Sequence, residues 1–275
     1  MVHSVGVCSW SLQPHSCAQL IESLRSLRIE SVQLALDPIV NNDWDWEKTR
    51  DQLARAGITI RSGMITTIGE DYTTLESIRD TGGLRPDEHW ESNRAHATKA
   101  AEIAAAMGIP LATLHAGFIP EADNKLRNIM IERIAEVAQI FDSQGIRLAL
   151  ETGQESADNL LKLLEHPSLQ SVGVNFDPAN MILYAMGDPI ESMRTLADRI
   201  AQVHMKDALP SDSLGQWGME VPAGQGIVDW RGFFRVLSSI DRPIDIMIER
   251  ESGYDRVADI RAAHNLACKL GAIND

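Results

Sequence analysis

Eight times along the chain a short apolar run is followed by a longer stretch of helical spacing, and this alternation constrains the fold more than any other feature. The runs cover residues 4–9, 31–36, 58–65, 111–115, 146–151, 171–177, 200–206 and 244–249. Helical patterns fall at 18–27, about 46–56, 89–107, 124–143, 156–165, in turns to about 196, after Asp229 and at 255–270. Leu20, Ile21, Leu24 and Leu27 show the spacing in the first of these, and Gly57, Gly108 and Gly145 stop later ones. Eight unbroken strand–helix units predict one closed (β/α)8 TIM barrel spanning residues 1–275 as a single domain. The runs are apolar on both faces, as strands between a packed interior and a helical layer must be. An open doubly wound sheet is the alternative, but residues 9–13 lack the glycine fingerprint it would need after the first strand.

Loop length is uneven. The connections after the third and seventh strands, residues 66–88 and 207–228, are long and carry glycines, whereas several returns to the next strand are short. This bias places the chemistry at the C-terminal end of the barrel, unless the long loops are merely tolerated insertions.

At that same end, four successive runs finish in or near a side chain able to bind a metal: Glu151, Asp177, His204 and Glu249, spaced 26, 27 and 45 residues apart. In a barrel each step moves one strand around the ring, so the four converge on the mouth. Three carboxylates gathered there repel one another and resist desolvation unless a cation lies among them. One divalent ion supplies it; the oxygen-rich set with one nitrogen suits Mn²⁺ first, with Mg²⁺, Co²⁺ or Zn²⁺ also fitting. Four protein ligands leave positions open for substrate oxygens. The competing structural role is helix capping, which Asp177 before Pro178 suits.

The motifs Leu150-Glu151-Thr152-Gly153-Gln154, Phe176-Asp177-Pro178-Ala179-Asn180, His204-Met205-Lys206-Asp207, 224–230 (GQGIVDW) and Ile248-Glu249-Arg250 resemble, in order, those of the xylose isomerase-like TIM barrel superfamily. Within it the chain looks like the sugar (phosphate) isomerase and epimerase branch. The resemblance implies that Glu151, Asp177, His204 and Glu249 hold one divalent metal, and that Glu151 and Glu249 act on opposite faces of a sugar as an acid/base pair. An ion chelating a carbonyl and its neighbouring hydroxyl would lower the cost of an enediolate. Proton return to the same carbon is epimerisation, and return to the neighbouring carbon is aldose–ketose isomerisation. Relatives also imply a dimer or tetramer.

Further substrate contacts are expected from His115, Asn180, Lys206, Trp10 and Gln154. Lys206 shares His204's side of the strand and either holds substrate or pairs with Asp207 or a pocket acid. His115 shares a face with Thr113. Trp10 offers an apolar wall for sugar C–H faces or packs beneath its loop. Asn180 replaces a histidine and Gln33 a glutamate that related epimerases tend to carry. Cys8 shows no sign of a nucleophile. Trp217 and Met219 lie on the long seventh loop as a lid or subunit contact, and Arg250 and Glu251 are expected to pair structurally.

The competing activity is a metal-dependent dehydratase or lyase of a keto-sugar or keto-inositol; a non-catalytic sugar-binding barrel is a further reading. An abasic-site endonuclease would need more histidines, yet Met64 and Asn180 stand in or near those positions. A net charge of −14 also opposes nucleic-acid binding. Cys8, Cys17 and Cys268 form neither a disulfide framework nor a zinc spacing, which fits a reducing compartment. The start lacks signal-peptide order, and the apolar stretch 103–114 is too short to span a bilayer, so a soluble cytoplasmic protein without membrane partners is expected.

Overall fold

The computed structural model describes residues 3–213 and 215–273. Strands β1 (Val5–Cys8), β2 (Ser31–Ala35), β3 (Thr59–Met64), β4 (Leu111–Leu114), β5 (Arg147–Glu151), β6 (Gly173–Phe176) and β7 (Ile200–Met205) run in chain order around a ring. After a small antiparallel hairpin, β8 (Asp207–Leu209) with β9 (Met219–Val221), strand β10 (Asp245–Ile248) completes it between β7 and β1. Every barrel pairing is parallel, and Val5 lies opposite Ile246 at the closing seam. The eight-stranded parallel barrel with helices between its strands is thus the expected (β/α)8 fold. No helix of the described residues is long and apolar enough to cross a membrane.

The helices begin where side chains can take up free amides. Ser16, Asp45, Asn124, Ser156 and Asp255 each accept from a backbone N–H of the following turn. Their inward faces, Leu20 and Leu24 or Ile134 and Phe141, are fully buried against the outside of the barrel. Each such side chain contributes about 1.5–3 kcal/mol through burial.

The sequence reading differs from the fold in three places. The turns towards residue 196 are two helices, Pro178–Leu183 and Pro189–Leu196, because Ala185 and Gly187 take positive φ and Pro189 restarts the chain. The loop after β3 contains a helix, Leu75–Thr81, closed at its start by a reciprocal capping box between Thr74 and Ser77. The loop after β7 is folded into the β8–β9 hairpin.

The third loop is docked on the exit of β4. Leu84 N–H donates to Ala116 O at 2.9 Å, and Gly83 has φ +69°. A Cβ on Gly83 would come within 2.1 Å of the Ala116 backbone, so only glycine permits this approach beside His115.

Candidate metal centre and its cavity

The barrel interior above the seam is polar. Ser62 Oγ donates to Gln202 Oε1 at 2.6 Å, Gln202 Nε2 to Asn175 Oδ1 at 3.1 Å, and Asn175 Nδ2 to Glu151 Oε2 at 3.1 Å. On the other side Gln33 Nε2 donates to Thr113 Oγ1 at 2.8 Å. All six of these side chains are buried. In this dry interior each is held by a partner, since an orphaned group costs about 1–3 kcal/mol.

On this network stand Glu151 at the end of β5, Asp177 after β6, His204 in β7 and Glu249 after β10, all buried. Each offers one ligand atom, and the four atoms lie within 4.8 Å of one another. His204 Nδ1 faces Glu249 Oε2 at 3.3 Å, Glu151 Oε1 at 3.4 Å and Asp177 Oδ2 at 3.5 Å. Neither Nδ1 nor Asp177 Oδ2 makes a hydrogen bond, although both are buried. Two buried ligand atoms without a hydrogen bond, set among two more carboxylates, are a donor set that a divalent cation would satisfy, so the residues fit such an ion.

Asp177 caps the following helix and still faces the cluster. Its Oδ1 accepts from Ala179 and Asn180 N–H at 2.7 and 3.0 Å, which fixes the carboxylate and leaves Oδ2 free. His204 is oriented in the same way. Its Nε2 lies 2.7 Å from Gln33 Oε1, and in the neutral ring a proton donated there would leave the Nδ1 lone pair facing the cluster. Gln33→Leu should therefore weaken manganese binding about 10–100-fold, while Gln33→Glu, which keeps the acceptor, should restore most of it. Competition against a chelating dye reads this directly.

The charges follow from the geometry. Burial works against ionising Glu151, but His115 and His204 hold its pKa below the ordinary value. Burial opposes Glu249 too, and Lys206 and His204 lower it. Burial disfavours the His204 imidazolium, yet Glu151 and Glu249 help to carry its pKa well above the usual value. The thiol of Cys8, 3.7 Å from His204 Nε2, is pushed up to about 12 by burial and stays protonated. It is therefore no nucleophile.

A cavity of about 550 Å³ opens above the cluster. Glu249, Trp10, His115, Asn180 and Lys206 line it, whereas Glu151, Asp177 and His204 are buried behind that surface. Trp10 contributes more than an apolar wall: its Nε1 donates to Glu249 Oε1 at 2.8 Å. Asn180 Nδ2 donates to Glu151 Oε1 at 3.0 Å, and His115 Nε2 lies 3.4 Å from the same oxygen. Lys206 turns away from Asp207 and donates to Glu249 Oε2 at 2.9 Å and to Glu251. Gln154 is buried beside Tyr184, donating to its hydroxyl at 3.4 Å, and Tyr184 rather than Gln154 lines the cavity. Trp217 lines it as well, edge-on to Tyr184, while Met219 is exposed.

Arg250 and Glu251 both pair, Arg250 with Glu220 and Asp259 and Glu251 with Lys206 at the cavity rim. Sequence reasoning also passed over Asn175, Gln202 and Ser62. For Asn175 and Gln202 the signal was a polar residue two positions before a ligand, Asp177 and His204 respectively, hence on the same inward face. Among the described residues, the only other metal-competent group is Cys8 with His204 and Glu249, which shares two members of the first. The additional histidines of a trinuclear centre are not assembled there.

A closed parallel barrel carrying one Glu/Asp/His cluster at its strand ends defines the class. The family model for the xylose isomerase-like TIM barrel matches residues 21–269, and the chain belongs to that family. A xylose isomerase domain protein from Planctomyces limnophilus has a TM-score of 0.90 at 30% identity, with 98% of each chain covered. The D-allulose 3-epimerase from Methylomonas sp., solved with D-allulose, shares the fold at TM-score 0.73 and 16% identity, over 98% of this chain and 97% of that one. The uncharacterized protein YihM of Escherichia coli K12 is 31% identical over 150 residues. That match covers 52% of this chain but only 45% of YihM, less than half its length.

Proposed function

We propose that this protein is a divalent-metal-dependent isomerase or epimerase of a sugar, in which Glu151 and Glu249 carry the proton. The observation behind it is the set of four ligand atoms within 4.8 Å, two of them buried without a hydrogen bond. Glu151, Asp177, His204 and Glu249 would hold the ion, with Mn²⁺ the first choice and Mg²⁺, Co²⁺ or Zn²⁺ compatible. When bound, it would offset the clustered charge and polarise a substrate carbonyl. Cys8, Cys17 and Cys268 form no disulfide, which agrees with a cytoplasmic setting.

The remaining work falls to this chain's side chains. Glu249 faces the cavity with its oxygens fixed by Trp10 and Lys206, so it meets a substrate C–H in one orientation. Glu151, held by Asn175 and Asn180 and approached by His115, is the second proton carrier. Trp10 and Tyr184 bound the space with aromatic surface that excludes water and suits sugar C–H faces. The D-allulose held by the Methylomonas epimerase supports a keto-sugar as substrate.

Manganese-loaded protein incubated with a panel of keto-sugars in D₂O should incorporate deuterium next to the carbonyl of one of them, with no loss of water. An unsaturated product would assign the site to a lyase instead. Absence of exchange across the panel in protein shown to hold manganese would refute the proposal.

A further inference from the structure

The cavity carries more negative charge than an ion site needs. Asp37, Glu70 and Glu251 line it together with Glu249, and among the described residues Lys206 is the one lysine or arginine that does. That ammonium is already engaged by Glu249, Glu251 and Asp177. Asp37 in turn takes a hydrogen bond from His96 Nε2 at 2.7 Å. Other cations near the mouth are also committed: Arg79 lies 4.8 Å over the Phe118 ring, Arg85 pairs with Asp80, and Arg250 bridges Glu220 and Asp259. The loops repeat the bias. Residues 36–45 contain Asp37, Asp43 and Asp45, and residues 207–228 contain Asp207, Asp212 and Glu220, with no lysine or arginine in either segment.

A second, independent observation concerns the glycine turn that follows β9. Backbone amides in the late loops of such barrels are where a phosphate is commonly held. Here those amides are occupied by the protein's own anion. Gly224 and Gly226 N–H donate to Asp207 Oδ2 at 2.8 and 3.2 Å, Val228 N–H to Oδ1 at 3.2 Å, and Trp230 Nε1 to Oδ2 at 3.0 Å. A Cβ on Gly226 would fall 2.0 Å from Asp207 Oδ1, so the carboxylate fills the cradle completely.

From these two observations we infer that the substrate is an uncharged carbohydrate, a neutral keto-sugar or keto-polyol, and that the cavity rejects sugar phosphates and sugar acids. The inference rests on the isomerase reading and narrows it. A phosphate placed over Asp37, Glu70 and Glu251 meets like charge, with no unpaired lysine or arginine among the described residues that line the cavity and with the glycine-turn amides already taken by Asp207. Neutral hydroxyls, by contrast, find strong acceptors in those same carboxylates, and Tyr72, Tyr184 and Trp217 supply flat surface for the C–H faces.

Calorimetry on the manganese-loaded protein with matched pairs tests this: D-fructose against D-fructose 6-phosphate, and D-ribulose against D-ribulose 5-phosphate. In at least one pair the neutral member should bind about tenfold more tightly or better, and the gap should shrink in Asp37→Asn and Glu251→Gln and at high salt. An ester that binds as tightly as its parent overturns the inference but leaves the isomerase reading intact. So does inorganic phosphate bound in the cavity. Manganese held at the cluster with no member of either pair bound also overturns it, while the metal centre stands. Loss of manganese from the cluster, read by electron paramagnetic resonance, removes the isomerase reading and the inference together.

Discussion

Glu249→Gln should lower kcat at saturating manganese by about a thousandfold while the barrel stays folded. The substitution keeps the side chain's volume but removes its capacity to take a proton and its negative charge from the ligand cluster. Glutamine presents one oxygen where the carboxylate presents two, so it can satisfy Trp10 or Lys206 but not both. A modest loss of stability is therefore expected beside the large loss of rate. Glu151→Gln should fall as far, because Asn175 and Asn180 donate to its two oxygens and an amide cannot answer both. Trp10→Phe separates positioning from chemistry. It leaves Glu249 ionisable and should cost nearer tenfold. Equal, small losses in all three variants would show that neither glutamate carries the proton.

Metal binding should also depend steeply on pH. In the metal-free protein His204 titrates well above its ordinary value because, although burial opposes the charge, the surrounding carboxylates favour it. A metal needs the neutral ring, so binding expels that proton, and apparent affinity should rise about tenfold per pH unit until the folded-state pKa is passed. Glu151, Asp177 and Glu249, all shifted downwards, remain ionised across this window and add no slope of their own. The sign for stability follows. A raised histidine pKa stabilises the metal-free fold fully below the unfolded value of about 6.5 and loses that contribution as pH rises through the folded value. The difference in Tm between loaded and chelated protein should therefore widen from pH 6 upwards. A Tm difference independent of pH, or largest in acid, would place the proton elsewhere.

The ligand positions were legible because each interrupts or ends an apolar strand with a polar side chain, a costly substitution unless something compensates for it. Asp177 illustrates why two readings competed. A carboxylate before proline caps a helix, and only the structure shows that one oxygen caps while the other faces the cluster. Gln33, Ser62, Asn175 and Gln202 were harder to read. Each is a single polar residue in a separate strand, and only ring closure makes partners of them, as with Ser62 and Gln202 across 140 positions. Glu251 was legible as a pairing residue but not as a rim residue of the cavity. The sequence named no partner for it, and that partner, Lys206, comes from the end of another strand. The short helix after β3 rests on one capping box within a loop and leaves little periodicity to detect.

The seam between β1 and β10 has a consequence for assembly. Val5 pairs with Ile246, and the indole after β1 is bonded to the carboxylate after β10. Until the first strand finds the last, Glu249 is held by Lys206 alone and lacks its indole donor. Contacts so distant in sequence form slowly, because the chain entropy lost in bringing them together precedes any gain. The bond from the indole to the carboxylate can therefore form only once the cylinder has closed.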